Sequence, residues 1–229
     1  HYAIAGRTLY LTGRDKARLA SVATACSQNG ASIATNIINV RDAEAMSDWI
    51  SQVDSQTPLD LVVANAGISG STSSTGNRPK SIDFITREVF RTNVDGVFNT
   101  VHPALALMRR RGRGQIALLS SLASFIGMPK APGYSASKAA VRSYGEALRN
   151  RYAREGVQIS VICPGFVASQ MTNQNRFPMP FLMQSDKAAE IIVTGLARDK
   201  PRVVFPWQLY AIVRVVEMLP SFITDQLLK

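Results

Sequence analysis

Residues 121–138 read SLASFIGMPKAPGYSASK, with a serine thirteen positions ahead of a tyrosine and a lysine four positions after it. The tyrosine opens a helix, and residues four apart are neighbours on a helix surface, so the Tyr134 phenol and the Lys138 ammonium share a face. A free phenol, with a pKa near ~10, is a poor proton donor or acceptor at neutral pH. A fixed cation beside it stabilises the phenolate and lowers that value, so the pair reads as acid/base hardware.

The same stretch sits between two apolar runs, QIALLS before it and VQISVI after it, which makes it the connection of a β-α-β unit. That alternation continues in both directions. RTLYLT reads as a strand, followed by a helix capped by Asp15 with Leu19, Val22 and Cys26 on one face and Gly30 ending it. SIATNIINV is the next strand. Asp42 begins a helix carrying Met46, Trp49, Ile50 and Val53, and Pro58 precedes the strand LDLVVA. A long helix runs from about Val94 to Arg110. Downstream come a helix after Ser185 and the strand RVVF. Repeated β-α-β units predict an α/β fold, a three-layer, doubly wound parallel sheet of Rossmann type with helices on both faces. Strands that are apolar almost throughout fit burial on both sides.

Composition sets the outer bounds. The chain has 229 residues, 46% hydrophobic and 18% charged, which suits one globular domain spanning residues 1–229. Its net charge of +10 is scattered except at Arg109-Arg110-Arg111-Gly112-Arg113, a cluster at a helix end where cations are solvated and favoured by the helix dipole. Nucleic acid is not expected as a partner, because no recognition motif accompanies the basic charge. Cys26 and Cys163 make no disulfide framework and read as inert core thiols in a reducing, cytoplasmic setting. With only His1 and His102 as histidines, no metal site is expected. No apolar run reaches the ~20 residues needed to cross a bilayer, so the chain reads as soluble or peripheral to a membrane.

Further landmarks follow one another along the chain: Thr12-Gly13-Arg14, Asn39-Val40, Ala64-Asn65-Ala66-Gly67, Asn93, Ser120-Ser121, Tyr134-x-x-x-Lys138 and Pro164-Gly165. On these the sequence resembles the short-chain dehydrogenase/reductase family, NAD(P)-dependent oxidoreductases on a Rossmann-type fold, as far as about Gly195. That family opens with a strand and a glycine-rich turn for the cofactor diphosphate. Here both are absent, and HYAIAG looks like the last turn of the helix that would follow them, with Gly6 as its cap. The resemblance therefore implies roughly twenty further residues ahead of His1.

The resemblance also implies a site. Ser121, Tyr134 and Lys138 would be catalytic, with Asn93 holding a water in the proton relay to Lys138. The spacing to Tyr134 selects Ser121 over Ser120. Tyr134 would give a proton to a carbonyl oxygen polarised by Ser121, while Lys138 bonds the nicotinamide ribose. Cofactor contacts would come from Arg14, Asn39, Val40, Asn65, Ala66, Gly67, Tyr134, Lys138, Pro164, Gly165, Val167 and Ser169. Gly13 stands where NAD-binding members carry an acid, and Arg14 follows it. A guanidinium suits a 2′-phosphate, so NADP(H) is preferred, with NAD(H) as the alternative. Asp15 could serve the ribose, although its place favours helix capping.

Residues 168–184 are the expected substrate loop, and its Met171, Phe177, Met179, Phe181, Leu182 and Met183 suit a lipophilic carbonyl compound or secondary alcohol. A non-catalytic nucleotide-binding scaffold or redox sensor on the same fold is the alternative function. Helices near Val97 to Arg110 and Ser135 to Ala153 resemble those that pair in the family's dimers and tetramers, so a homodimer or homotetramer is expected. The apolar C-terminal extension, residues 205–229, must cover the active site, pack on another subunit or lie in a membrane interface, packing being preferred.

Overall fold

The computed structural model describes residues 1–70, 81–174 and 178–227. Within them the chain alternates strand and helix. β1 (Thr8–Gly13), α1 (Lys16–Gln28), β2 (Ser32–Ile37), α2 (Ala43–Gln56) and β3 (Leu61–Ala64) come first. There follow α3 (Ile82–Phe90), a π turn over Arg91–Asp95, α4 (Gly96–Arg111), β4 (Gly114–Leu119) and α5 (Pro132–Tyr152). β5 (Val157–Pro164), α6 (Ser185–Ala197), β6 (Arg202–Phe205), α7 (Trp207–Met218) and α8 (Ser221–Leu227) complete the order.

Caps read from the sequence act as caps. The Asp15 carboxylate accepts from Arg18 N at 3.0 Å and the Asp42 carboxylate from Ala45 N at 3.1 Å, each filling an orphan donor of the first turn. The segment before β1 is a turn rather than a helix end, although Gly6 does take a left-handed φ of +79°. The helix expected from Val94 enters through the π turn and is α-helical from Gly96. Sequence reasoning missed α3. Ser81 caps it by accepting from Phe84 N, and of its residues only Val89 is buried.

Every strand pairing is parallel. β1 pairs with β2 as one two-stranded sheet, while β3, β4, β5 and β6 lie side by side in a second. On one face of the larger sheet Ile116, Leu118 and Ile159 meet Val97, Val101, Met108 and Val141 of α4 and α5. On the other, Ala117, Ile162 and Val203 meet Ala188 and Leu196 of α6. Helices on both faces of parallel strands explain the near-continuous apolar strands: Ile116, Ala117 and Leu118 of β4 and Ile159, Val161, Ile162 and Cys163 of β5 are buried. A third cluster joins Leu122, Phe125, Val161 and Cys163 to Val213 of α7. The outer side of α7 is open: Trp207, Ile212, Val215 and Met218 are exposed. Among the described residues no helix is long and apolar enough to cross a membrane.

Candidate active site

The carboxyl ends of β3, β4 and β5 converge with the start of α5, the place where parallel sheets collect ligands. β4 delivers Ser120 and Ser121 in succession, and pleating sends them apart. Ser120 is buried, its N–H bonded to Ile162 O at 2.7 Å and its hydroxyl donating to Lys138 O at 2.8 Å. Ser121 is only half-buried, accepts from Ala123 N at 3.1 Å and donates to Pro164 O at 3.4 Å. The Tyr134 phenol stands close enough to feel that hydroxyl. The interval that selects Ser121 therefore agrees with the geometry.

Pro132 at the first turn of α5 fixes the helix start, and Tyr134 and Lys138 project from one stripe, with the Lys138 ammonium 5.9 Å from the phenol ring centroid. Lys138 is 4% exposed and its Nζ donates to Leu119 O at 2.8 Å. Burial pulls its pKa down to about 8. Burial also pushes the Tyr134 phenol up, opposed by the Ser121 hydrogen bond. The lowering expected from Lys138 is not seen: burial of the phenol dominates, and Tyr134 stands protonated, as a donor.

Asn93 lies in the π turn, fully buried. Its Oδ1 accepts from Ile68 N at 2.8 Å, and its two amide protons go to Ile68 O and Ser137 Oγ, each at 3.0 Å. The side chain thus clamps the segment after β3 to α5, leaving one lone pair of Oδ1 for a further donor. Gly67 lies between these groups. A Cβ there would come within 3.3 Å of both Asn93 Oδ1 and Lys138 Nζ, so the position keeps a narrow space that any side chain would fill.

The remaining expected residues ring this centre. Asn65 is exposed, and Ala66 is half-buried beside it. Asn39 is exposed and accepts from Arg41 N at 3.2 Å, while Val40 packs over Gly96 and offers its carbonyl to Asn99 at 2.8 Å. Arg14 is exposed at the end of β1, and Asp15 beside it is engaged as the α1 cap. Pro164 pairs in register with Phe205, and Gly165 N donates to Phe205 O at 2.7 Å. Val167 bridges Met183, which closes the segment between them into a loop. Ser169 and Thr172 share a hydroxyl contact at 3.2 Å, and Thr172 donates to Val167 O. Phe177 of the expected substrate lining lies outside the described residues. Cys163, fully buried on β5, has its thiol pushed up to about 11 by burial, which keeps it protonated and unreactive.

A donor phenol, a hydroxyl beside it and a buried ammonium can together polarise a carbonyl, protonate its oxygen and hold a neighbouring diol. Comparison with known proteins points the same way. The family model for short chain dehydrogenases matches residues 1–179. An uncharacterized oxidoreductase of Myxococcus xanthus is 36% identical over 221 residues, 96% of this chain and 86% of that protein. Among solved structures, a short-chain dehydrogenase from Sphingobium yanoikuyae in complex with NADPH superposes with a TM-score of 0.77 at 17% identity, covering 96% of this chain and 89% of the other. A gluconate 5-dehydrogenase from Burkholderia cenocepacia in complex with NADP and tartrate gives 0.70 at 22% identity, covering 85% and 81%. Fold, site and relatives agree: this chain belongs to the short-chain dehydrogenase/reductase family and is an oxidoreductase.

Proposed function

We propose that the protein interconverts a carbonyl compound and a secondary alcohol with NADP(H), on a lipophilic substrate. The observation that carries this reading is the Ser121–Tyr134–Lys138 group, in which a protonated phenol stands between the Ser121 hydroxyl and a buried ammonium. When bound, NADPH supplies a hydride to the carbonyl carbon. Tyr134 gives its proton to the oxygen, Ser121 donates a second hydrogen bond to it, and Lys138 holds the nicotinamide ribose. The residues fit such a group: Gly67 keeps the space beside Lys138 clear, and no carboxylate pairs with that ammonium among the described residues. Asn93 holds this floor in place, its free lone pair facing any water of the relay.

Preference for NADP(H) over NAD(H) rests on Arg14, an exposed guanidinium whose neighbour Asp15 is engaged in capping and so is not free for a ribose. Asn39, Val40, Asn65, Ala66, Pro164, Gly165, Val167 and Ser169 complete the cofactor surface. Phe181 and Leu182, 47% and 45% exposed in residues 168–184, support a lipophilic substrate. Assembly as a homodimer or homotetramer is supported by an aromatic patch across α4 and α5, where Phe98 stacks on His102 at 5.5 Å and His102 meets the Tyr144 hydroxyl at 2.6 Å. Following NADPH and NADH oxidation over a panel of ketones and aldehydes tests the reading. Oxidation of neither by any carbonyl, with NADPH bound, would overturn it.

A further inference from the structure

Phe125 lies four residues beyond Ser121, at the end of the 3₁₀ turn Leu122–Ser124 that Ser121 begins. Ser121 O accepts from Ser124 N at 3.0 Å and Leu122 O from Phe125 N at 3.2 Å, so ring and hydroxyl are ends of one rigid turn. The ring is buried inside an unusual enclosure. The Arg142 guanidinium carbon is 4.3 Å from its centroid, that of Arg202 5.4 Å and that of Arg214 5.9 Å, and the Tyr210 ring stands edge-on at 5.3 Å. Arg142 also donates to Ser124 O at 3.3 Å. Glu146 ties the cations together, accepting from Arg202 Nε at 3.0 Å and lying 3.7 Å from Arg142, and Arg202 donates to the Tyr210 hydroxyl at 3.4 Å.

Two features set this cluster apart from ordinary packing. Arg142, Arg202 and Glu146 are half-buried, where ion pairs add little stability, so an aliphatic residue at 142 or 202 would fill the same space at no loss. Fixed direction is what a guanidinium fork and a ring face provide in its place. The cluster also continues the catalytic stripe of α5: Tyr134, Lys138, Arg142 and Glu146 follow at steps of four. On the far side, α7 reaches the cofactor turn. A Cβ at Gly165 would come within 2.9 Å of Pro206, 3.0 Å of Leu209 and 3.3 Å of Leu122.

We propose that Phe125, held by Arg142, Arg202 and Tyr210, is a positioning residue for the Ser121 hydroxyl, which makes the C-terminal helix α7 part of the catalytic scaffold. The inference rests on the reading of Ser121 as the group that polarises the carbonyl. In that case the ring acts on the reaction only through Ser121.

The test is a double-mutant cycle with NADPH and an activated lipophilic diketone, 9,10-phenanthrenequinone, read together with amide hydrogen exchange. Phe125→Leu in the wild-type background should lower kcat by up to about a hundredfold, the scale of an ångström-level misplacement, with the KM for NADPH unchanged. Added to Ser121→Ala it should lower kcat no further. An equal loss in both backgrounds would show a structural role alone and overturn the proposal. Should Phe125→Leu fold poorly, Tyr210→Leu removes one wall from outside and carries the same expectation. Independently of turnover, both variants should speed exchange of the Ala123 amide, which donates to the Ser121 hydroxyl. Unchanged exchange there refutes the positioning role even if the diketone is not reduced, whereas loosened exchange without turnover leaves the proposed reaction as what fails.

Discussion

Lys138→Met offers a direct measure of what the site costs the fold. The ammonium is 4% exposed, pairs with no carboxylate among the described residues, and has its pKa pulled from 10.5 to about 8 by burial. The unfolded chain therefore binds the proton more tightly, and stability should rise with pH from about 8 until 10.5. Each unit of that interval is worth 1.36 kcal/mol, so the full penalty at neutral pH is roughly 3 kcal/mol. Methionine keeps the length without the charge. It leaves Leu119 O without its donor, which costs about 1–3 kcal/mol, so at pH 7 the two effects nearly cancel. Cys163 complicates the raw curve, because its thiol is pushed from 9.0 up to about 11 and its contribution is lost as pH rises across that window. Cys163 also touches the Lys138 ammonium electrostatically. The difference between wild type and Lys138→Met is therefore read below pH 9, where the thiol is protonated in both states, and its upper part carries the coupling. Urea unfolding followed by tryptophan fluorescence at pH 7, 9 and 10.5, without cofactor, should show the wild type gaining on the variant by roughly 1 kcal/mol at pH 9 and about 3 at pH 10.5. Parallel curves would refute the argument and show that the ammonium is solvated in the folded state.

Tyr134→Phe should lose several orders of magnitude in kcat while NADPH still binds, as measured by cofactor fluorescence, because only the proton donor is gone. Arg14→Asp should raise the ratio of kcat/KM for NADH to that for NADPH by tenfold or more, through loss of a phosphate partner and addition of a repulsive charge. Phe98→Glu, on the patch with His102 and Tyr144, should reduce the mass seen by light scattering if α4 and α5 form the subunit contact; an unchanged mass assigns assembly to another face.

What could be read from the sequence was what is local. Tyr134 and Lys138 sit one helical turn apart, and Asp15 and Asp42 cap within three residues, so spacing alone locates them. The burial of Met46, Ile50 and Val53 on α2 follows from periodicity in the same way. Properties set by tertiary surroundings were not legible. The direction of the Tyr134 pKa depends on how deeply α5 is covered, which no local pattern encodes. Phe125, Arg142, Arg202 and Tyr210 come from four separate elements, and nothing in their spacing announces a cluster. α3 was missed although its signals were local: Ser81 stands at the cap, Asp83 in the first turn, and Ile82, Ile85 and Val89 follow at helical spacing. The apolar run after Phe205 was plain, but its division into α7 and α8 at Leu219-Pro220 separates a face packed on the site from a second short helix.

The long register of α5 also bears on how this chain can change over generations. Arg149, three residues past Glu146, grips Asp199 at 2.7 Å, so a single helix indexes the chemistry at one end and the α6–β6 junction at the other. Each residue turns a helix by about 100°, so one inserted or deleted residue between Lys138 and Arg142 would swing every downstream grip out of line while leaving Tyr134 and Lys138 in place. Point replacements on the outward side of α5 meet no such constraint. Length variation among homologous chains should accordingly be excluded from 134–149 and gather in the loops that follow the strands, where the substrate is met.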